Sequence, residues 1–223
     1  MEEKQLTPTT TAVQIVEADD SDLEAFNRIY NEEVLHSTAT WDIKLWSLEE
    51  TRAWMEAHGD AAHPLLALRI GGKTLGYASL SRYRVKDAYA STAELSIYID
   101  RSCRGLGYAT ALLEELLSRA RRSGIIHNIV SVITAGNEAS IALHRRFGFI
   151  FCGRIPESGI KFGHYLSLEN YCLLLNPPAA APAAPNAAPA AATAPGASEV
   201  QEPLASTPAV PYSSNAADSK AKT

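Results

Sequence analysis

The chain has 223 residues, 46% of them hydrophobic, enough apolar material for one well-buried core once a low-complexity C-terminal stretch is set aside. A formal net charge of −5 and a pI near 5.7 argue against general affinity for nucleic acid or anionic membrane, both of which require a basic face. Cys103, Cys152 and Cys172 show no metal-ligand spacing and imply no disulfide framework, so they read as reduced thiols and no metal is expected.

The opening MEEKQLTPTTT is acidic and polar where a secretory signal needs a basic start and an apolar core. No apolar run reaches spanning length, so a cytoplasmic protein is expected. Residues 1–11 read as a flexible lead. Val13 to Glu17 alternates as a short strand. Ser21-Asp22-Leu23-Glu24 has the spacing of a capping box, in which Ser and Glu side chains reciprocally satisfy free backbone donors. Leu23, Phe26, Tyr30 and Val34 follow as the apolar face of a first helix. Ser47-Leu48-Glu49-Glu50 repeats the signal for a second helix, with Gly59 as its stop. Between the helices, HSTATWD (36–42) lacks periodicity but carries hydroxyls and an indole, which suits a pocket-lining loop.

Leu65 to Ile70 and Leu75 to Ser81 predict a hairpin turning through Gly71-Gly72-Lys73. Arg82 to Tyr89, RYRVKDAY, interrupts the apolar pattern. In the next strand Leu95, Ile97 and Ile99 take one face and Glu94, Ser96 and Tyr98 the other. The loop Arg104-Gly105-Leu106-Gly107-Tyr108 follows, and then Ala109, Leu112, Leu113, Leu116, Leu117 and Ala120 form a helical stripe. Two positions without a Cβ let the backbone approach a ligand closely. The unpaired first N–H groups of the helix, with the positive end of its dipole, make a site for phosphate or pyrophosphate. A dinucleotide fingerprint would want a third small residue where Thr110 stands, and a P-loop would want a lysine after its glycine, so neither fits.

Gly124 marks the end of that helix, and Ile125 to Ile133 is a nearly continuous apolar strand, expected at the centre of a sheet. Asn137 caps a helix running to Phe147, and Phe149 to Ile155 and Tyr165 to Leu175 are the last strands. This order predicts an α/β protein with a mixed sheet and helices on both faces, one domain over residues 12–175. From Asn176 onward alanine and proline dominate, as in PAAAPAAPNAAPAAATAPG. Such a segment cannot build a core and its prolines stop a helix from propagating, so residues 176–223 are expected to be a disordered tail.

Arg104-x-x-Gly107-x-Ala109 resembles the coenzyme A pyrophosphate loop of the GCN5-related N-acetyltransferase (GNAT) superfamily, and the element order from Val13 to Leu175 is similar to that superfamily. Asn137 to Phe149, NEASIALHRRFGF, resembles its Asn-x-x-Ser-x-x-Leu-(Tyr/His)-x-x-x-Gly-Phe segment. Tyr30-Asn31-Glu32-Glu33-Val34 with Ser37 to Trp41, Ala88-Tyr89, and Ala93 to Ile99 resemble its phosphinothricin acetyltransferase branch. The resemblance implies the GNAT acyl-CoA N-acyltransferase fold, acetyl-coenzyme A as co-substrate and no metal. It further implies direct acetyl transfer to the primary amine of a small amino-acid-like acceptor such as phosphinothricin or methionine sulfoximine. Members of the superfamily often form homodimers.

A primary amine is mostly protonated at neutral pH, so its acylation needs a proton acceptor. Glu94, on the strand leading into the anion loop, is the candidate base, with apolar surroundings to raise its pKa; a solvated strand-face carboxylate is the alternative role. His144 stands where many superfamily members carry a tyrosine that protonates the departing thiolate. With an ordinary pKa of about 6.5 it can serve as acid, base or positioning group, or be a structural histidine. The resemblance puts the pyrophosphate on Arg104, Gly105, Leu106, Gly107, Tyr108 and Ala109, and the pantetheine arm along Ile97, Tyr98 and Ile99, with Asn137 and Ser140 beside it. A backbone N–H near Ile97 or Tyr98 polarises the thioester if the strand splays there.

For an acceptor bearing a carboxylate and a second oxygenated group, Thr38, Thr40, Arg82, Arg84, Lys86, Tyr89 and Lys161 supply cations and hydroxyls. Where the branch reads Lys-Phe-Gly-Arg-Trp-x-Asp, this chain has Lys161 to Ser167, KFGHYLS. Neutral groups thus replace a charged pair and the identity of the amine stays open. Two other readings stand beside this one: a non-catalytic acyl-CoA-binding sensor or scaffold, and an acetyltransferase for a protein or peptide amine that uses the basic loop at Arg82 to Lys86.

Overall fold

The structure is a computed structural model that describes residues 12–175; the expected N-terminal lead and Ala/Pro-rich tail lie outside the described residues. The elements are β1 (Val13–Glu17), α1 (Leu23–His36), α2 (Leu48–Glu56), β2 (Leu65–Ile70), β3 (Lys73–Arg82), β4 (Thr92–Ile99), α3 (Tyr108–Ser123), β5 (Asn128–Thr134), α4 (Glu138–Arg146), β6 (Ile150–Lys161) and β7 (His164–Leu174). This is the order the sequence predicts. The strands form one sheet in the order β1-β2-β3-β4-β5-β7-β6. Every neighbouring pair is antiparallel except β4 and β5.

A parallel pair needs a crossover, and α3 provides it. Leu112, Leu113, Leu116, Leu117 and Ala120 of α3 are buried against Leu66, Leu80, Leu95, Ile129 and Ile133 of the sheet, and Ile141 of α4 joins the same cluster. Burial of each leucine in that stripe contributes about 2 kcal/mol. On the opposite face Phe26 and Ile29 of α1 pack on Leu65, Ala67 and Tyr77, with Trp54 and Met55 of α2 and Tyr98 of β4 at the edge. Helices therefore cover both faces, and β4 contributes to both clusters, with Leu95 and Ile99 on one and Tyr98 on the other.

The strands β4 and β5 pair only from Thr92↔Asn128 to Glu94↔Val130. Past that point β4 continues beside β3 to Ile99, while β5 stays with β7 to Thr134. The two halves of the sheet part there and leave a V-shaped opening in the middle of the molecule.

Three local expectations are corrected. The capping box before α1 uses Asp19 and Asp22 rather than Ser21 and Glu24: the Asp19 carboxylate accepts from the Ser21 N–H at 2.9 Å, and Asp22 accepts from the Asp19 N–H at 3.0 Å. Asp22 is held in that place because it is fully buried and also accepts from the Arg69 guanidinium at 2.6 and 3.0 Å and from the Thr74 hydroxyl at 2.5 Å. The helix α2 ends at Glu56, before Gly59, whose N–H closes a turn onto the His63 carbonyl at 2.8 Å. Finally, β6 runs past Ile155 to Lys161 through register shifts at Phe151/Gly153 and Ile155/Gly159. It is an edge strand with Pro156 in the second shift, where a missing ladder donor is tolerated. Among the described residues no helix is long and apolar enough to cross a membrane.

Asp22→Ala leaves Arg69 and Thr74 without their acceptor and is expected to cost about 3 kcal/mol in chemical denaturation. Glu24→Ala, outside the box, should shift the same midpoint by less than about 0.5 kcal/mol.

Candidate active site

A cavity of about 820 Å³ fills the opening between β4 and β5. Its lining comes from Glu94 to Ile99 of β4, Ser131 to Thr134 of β5, the loop entering α3, one face of α4, Tyr30 and Glu33 of α1, and Ala39 to Trp41 of the loop after it. Of the residues singled out in the sequence, Glu94, His144, Ile97, Tyr98, Ile99, Arg104, Gly105, Gly107, Tyr108, Ala109, Asn137, Ser140 and Thr40 all line this one space. Leu106 does not, and its side chain is 63% exposed. Thr38, Arg82, Arg84, Lys86, Tyr89 and Lys161 lie outside the lining.

At the loop end Gly105 and Gly107 take φ of +77° and +83°, a region that L side chains avoid, and an added Cβ would meet no atom within 4 Å at either. Backbone conformation, not crowding, is thus what requires glycine here. Gly107 is the N-cap of α3 and offers no side-chain oxygen to its first turn. The leading N–H groups of a 16-residue helix, with its positive dipole end, therefore face the cavity mouth as an anion cradle. The Arg104 side chain, still 46% exposed, donates to the Ile99 carbonyl at 3.2 Å and to the Glu33 carboxylate at 2.5 Å. Glu33 is buried on α1, also accepts from the Ser37 hydroxyl at 2.6 Å, and has Arg101 at 3.7 Å. The charge of Arg104 is therefore already matched within the protein.

At the other end Glu94 sits on the last paired rung of β4 and β5. It is half-buried, and burial pushes its carboxyl above the ordinary value, with Arg84 pulling less strongly the other way. Tyr98, on the same face of β4, packs against Tyr30 and Tyr77 with ring centroids 5.5 and 5.3 Å apart. The face that reads as polar in the sequence is thus walled by aromatic rings from α1, α2 and β3. A smaller cavity of about 90 Å³ lies among Phe26, Tyr30, Trp46, Trp54, Tyr77 and Tyr98, sharing Tyr30, Ser96 and Tyr98 with the large one.

Asn137 caps α4 through its side-chain oxygen, which accepts from the Ser140 N–H at 3.2 Å. That cap fixes the helix on which His144 stands. The His144 ring is 2% exposed, stacks edge-on against Phe149 at 5.0 Å, and pairs its Nδ1 with the Ser140 carbonyl at 2.7 Å. A carbonyl only accepts, so Nδ1 carries the hydrogen and Nε2 presents a lone pair. Burial lowers the pKa of the ring and keeps it neutral, with the Ser140 carbonyl opposing less strongly. Nε2 has no protein partner, and neither has Ser131 Oγ; both belong to residues of the cavity lining.

The loop after α1 is held by polar contacts to distant elements. Thr134 Oγ1 donates to the Thr38 carbonyl at 2.5 Å and accepts from Trp41 Nε1 at 2.8 Å. Tyr30 meets the Thr40 hydroxyl and the Asp42 carboxylate, each at 2.8 Å. Lys161 is buried, and its Nζ donates to the Thr40 carbonyl at 2.7 Å and more weakly to that of Glu33 at 3.4 Å. It is a strut under the loop rather than a cation facing the cavity, and Thr38 contributes its backbone. Arg82, Arg84 and Lys86 are exposed, Arg82 donating to the carbonyls of Arg84 and Val85 at 3.1 and 2.6 Å.

Several lining residues escape a reading of the sequence. Glu33 is invisible as a buried anion because its partner Arg104 lies 71 positions away. Trp41 and Thr134 meet across 93 positions. Ser131 did carry a signal, as the single hydroxyl within Ile129 to Ile133. Among the described residues no group of three or more His, Cys, Asp or Glu side chains could hold a metal ion.

A helix N-terminus without a side-chain cap, a trough along a splayed strand and a carboxylate with a raised pKa at its far end together suit an extended, anionic ligand. A model of the acetyltransferase (GNAT) family matches residues 24–149. The L-methionine sulfoximine/L-methionine sulfone acetyltransferase of Pseudomonas paraeruginosa is 38% identical over 172 residues, 77% of this chain and 99% of that relative. The phosphinothricin N-acetyltransferase of Streptomyces coelicolor is 33% identical over 167 residues, 74% of this chain and 97% of its own length. A GNAT superfamily phosphinothricin acetyltransferase from Sinorhizobium meliloti, solved in complex with acetyl-CoA, is 31% identical with a TM-score of 0.70, covering 73% of this chain and 88% of that one. The chain belongs to the GNAT family of acetyltransferases.

The position of Trp41 is open to a direct test, because a Cβ at Gly159 would lie 2.5 Å from its indole ring. Gly159→Ala should cost about 1–3 kcal/mol through overpacking and shift the tryptophan emission. Adding Trp41→Leu should recover most of that loss, and independent, additive effects in melting experiments would contradict the contact.

Proposed function

We propose that this enzyme transfers the acetyl group of acetyl-coenzyme A to the primary amine of a small amino acid of the methionine sulfoximine, methionine sulfone or phosphinothricin kind, without a metal. The observation that carries the reading is the presence, in one cavity, of the uncapped α3 N-terminus at one end and Glu94 with its raised pKa at the other. An 820 Å³ space is of the size that small-molecule sites take. The residues fit the co-substrate: the first turn of α3 suits a pyrophosphate, the unpaired edge of β4 from Leu95 to Ile99 suits an amide-bearing arm, and His144 Nε2 offers a buried acceptor.

When bound, acetyl-coenzyme A supplies the acetyl group as a thioester. Glu94 acts as general base and takes a proton from the attacking amine; its raised pKa brings it nearer the working pH, where proton transfer is most effective. A backbone N–H near Ile97 or Tyr98 polarises the carbonyl. His144, neutral with its lone pair inward, acts as an acceptor that positions the arm. Among the acceptor-binding candidates, Thr40 lines the cavity itself. The cations of the 82–89 loop, whose charge reaches Glu94 from Arg84, are assigned to the acceptor carboxylate. Thr38 and Lys161 shape the wall.

The same reading assigns the protein to the cytoplasm. A homodimer also belongs to this reading, since the edge strand β6 and its turn expose Ile150, Phe151, Ile155, Ile160 and Phe162, an apolar surface of the kind a partner covers.

Acetyl-coenzyme A with a panel of amino acids that includes methionine sulfoximine, methionine sulfone and phosphinothricin should release free thiol with at least one of them. Silence across the panel alongside calorimetric coenzyme binding would refute the small-acceptor reading. Glu94→Gln should lower kcat by about 100- to 10,000-fold and leave coenzyme affinity unchanged. The sign of the pH effect follows from the need for an ionised base: in the wild type kcat/KM falls as pH drops through the Glu94 pKa, which burial raises above its ordinary value. The Gln variant should lose that limb of the profile.

A further inference from the structure

Among the described residues four buried side-chain polar atoms lack a partner, and two of them, Ser131 Oγ and His144 Nε2, belong to the lining of the large cavity. An unpaired buried hydroxyl costs about as much as a lost hydrogen bond, so a group this well enclosed is expected to meet its partner in the bound state. Ser131 is 1% exposed. It follows Val130, the partner of Glu94 on the last β4–β5 rung, and so stands at the vertex of the V.

Pleating puts the two vertex residues on opposite sides. Glu94 and Val130 are paired and share the α1–α2 face, where Thr134 meets Trp41. Ser131 alternates to the other face with Ile129 and Ile133, which pack in the cluster containing α3 and Ile141 of α4. From Ile99, beside the anion loop, to Glu94 the trough runs about 16 Å at the usual rise per residue, and Ser131 closes its far end.

We propose that the Ser131 hydroxyl is the hydrogen-bond donor to the sulfur of coenzyme A, on the reading of the cavity as an acetyl-coenzyme A site. The acceptor amine gives its proton to Glu94 on one face of the sheet. The new N–C bond forms, the C–S bond breaks, and the electron pair leaves with sulfur as a thiolate. On the opposite face the Ser131 O–H, keeping its proton, steadies that charge. His144 cannot donate there, because its hydrogen is held on Nδ1 by the Ser140 carbonyl. Ser96 and Thr134 project from the Glu94 face. Ser131 thus has a part in catalysis that neither the loop motif nor the helix α4 motif contains.

The test is a binding cycle with the full chain, using coenzyme A and desulfo-coenzyme A, in which hydrogen replaces the thiol. Ser131→Ala should weaken coenzyme A binding about tenfold by calorimetry, the equivalent of one hydrogen bond, and change desulfo-coenzyme A binding by less than about twofold. The free variant should melt at a higher temperature than wild type, since an unsatisfied hydroxyl has gone, and gain less from added coenzyme A. Ser131→Cys, of similar size and a weaker donor, should fall between. Equal losses for both ligands, or no loss for either, would overturn the assignment while leaving the acetyltransferase reading intact. A wild type that bound neither ligand would overturn both.

Discussion

Three rungs of parallel pairing hold β4 to β5, and the place where they stop determines almost everything else about the molecule. A parallel pair cannot be closed by a tight turn, so the chain must cross over through α3, which puts the N-terminus of that helix at the open end of the parting strands. The leucine stripe of α3 presses the crossover onto the sheet and fixes this geometry by burial alone. If the pairing continued to Ile99, the sheet would be better satisfied and there would be no trough. The unpaired edge of β4 is a stability loss that a bound, amide-rich arm is suited to recover. Antiparallel pairing with β3 and β7 on the outer sides keeps each half rigid while the middle stays open.

Buried charge does the second part of the work. Glu33, 2% exposed, binds Arg104 of the anion loop and takes the Ser37 hydroxyl at the end of its own helix, while Lys161 reaches the main-chain oxygens of Glu33 and Thr40 from the opposite end of the sheet. Removing any one member would leave a buried charge or polar group uncompensated, so the contacts act as a set. One consequence concerns Arg104. With its guanidinium paired to Glu33 and Ile99, the proposed pyrophosphate site would rest mainly on backbone N–H groups, which carry no net charge but are fixed in direction. The loop is thereby tied to α1, and α1 leads directly into the segment that roofs the cavity.

The sequence made the element order, the apolar faces of α1 and α3 and the anion loop legible because each rests on short-range patterning: period two in β4, period 3.6 in α3, glycines at fixed offsets between them. Asn137 and Ser47 were readable as caps for the same reason, since a cap and its N–H partner lie three residues apart. The start of α1 misled because four consecutive polar residues, Asp19 to Asp22, offer overlapping boxes, and the choice between them is made by Arg69 and Thr74, 47 and 52 positions away. The sequence reading of β6 stops at Ile155 because nothing local says that the strand is an edge, where Pro156 is tolerated. Among the site residues, those in the β4, anion-loop and α4 motifs line the cavity except Leu106, whereas Thr38 and Tyr89 lie outside it. Those chosen for charge alone, Arg82, Arg84, Lys86 and Lys161, also lie outside, because the sign of a side chain says nothing about its neighbours.

The division of the site by the sheet has a chemical meaning. In an acyl transfer the nucleophile sheds a proton while the leaving atom takes on negative charge, and the two demands oppose each other: a base needs surroundings that tolerate an anion only reluctantly, whereas a leaving thiolate needs a donor. Placing both on one surface would let the base and the leaving atom compete for one proton. In the proposed mechanism the pleat separates them. Glu94, its pKa raised by burial, projects toward the aromatic wall of α1 and α2, and Ser131, one position beyond its rung partner, projects toward α4. Because β4 and β5 are parallel and in register at Glu94↔Val130, the separation is built into the backbone and does not depend on any rotamer. The splay that opens the trough and the pleat that divides its end are thus two consequences of the same pair of strands.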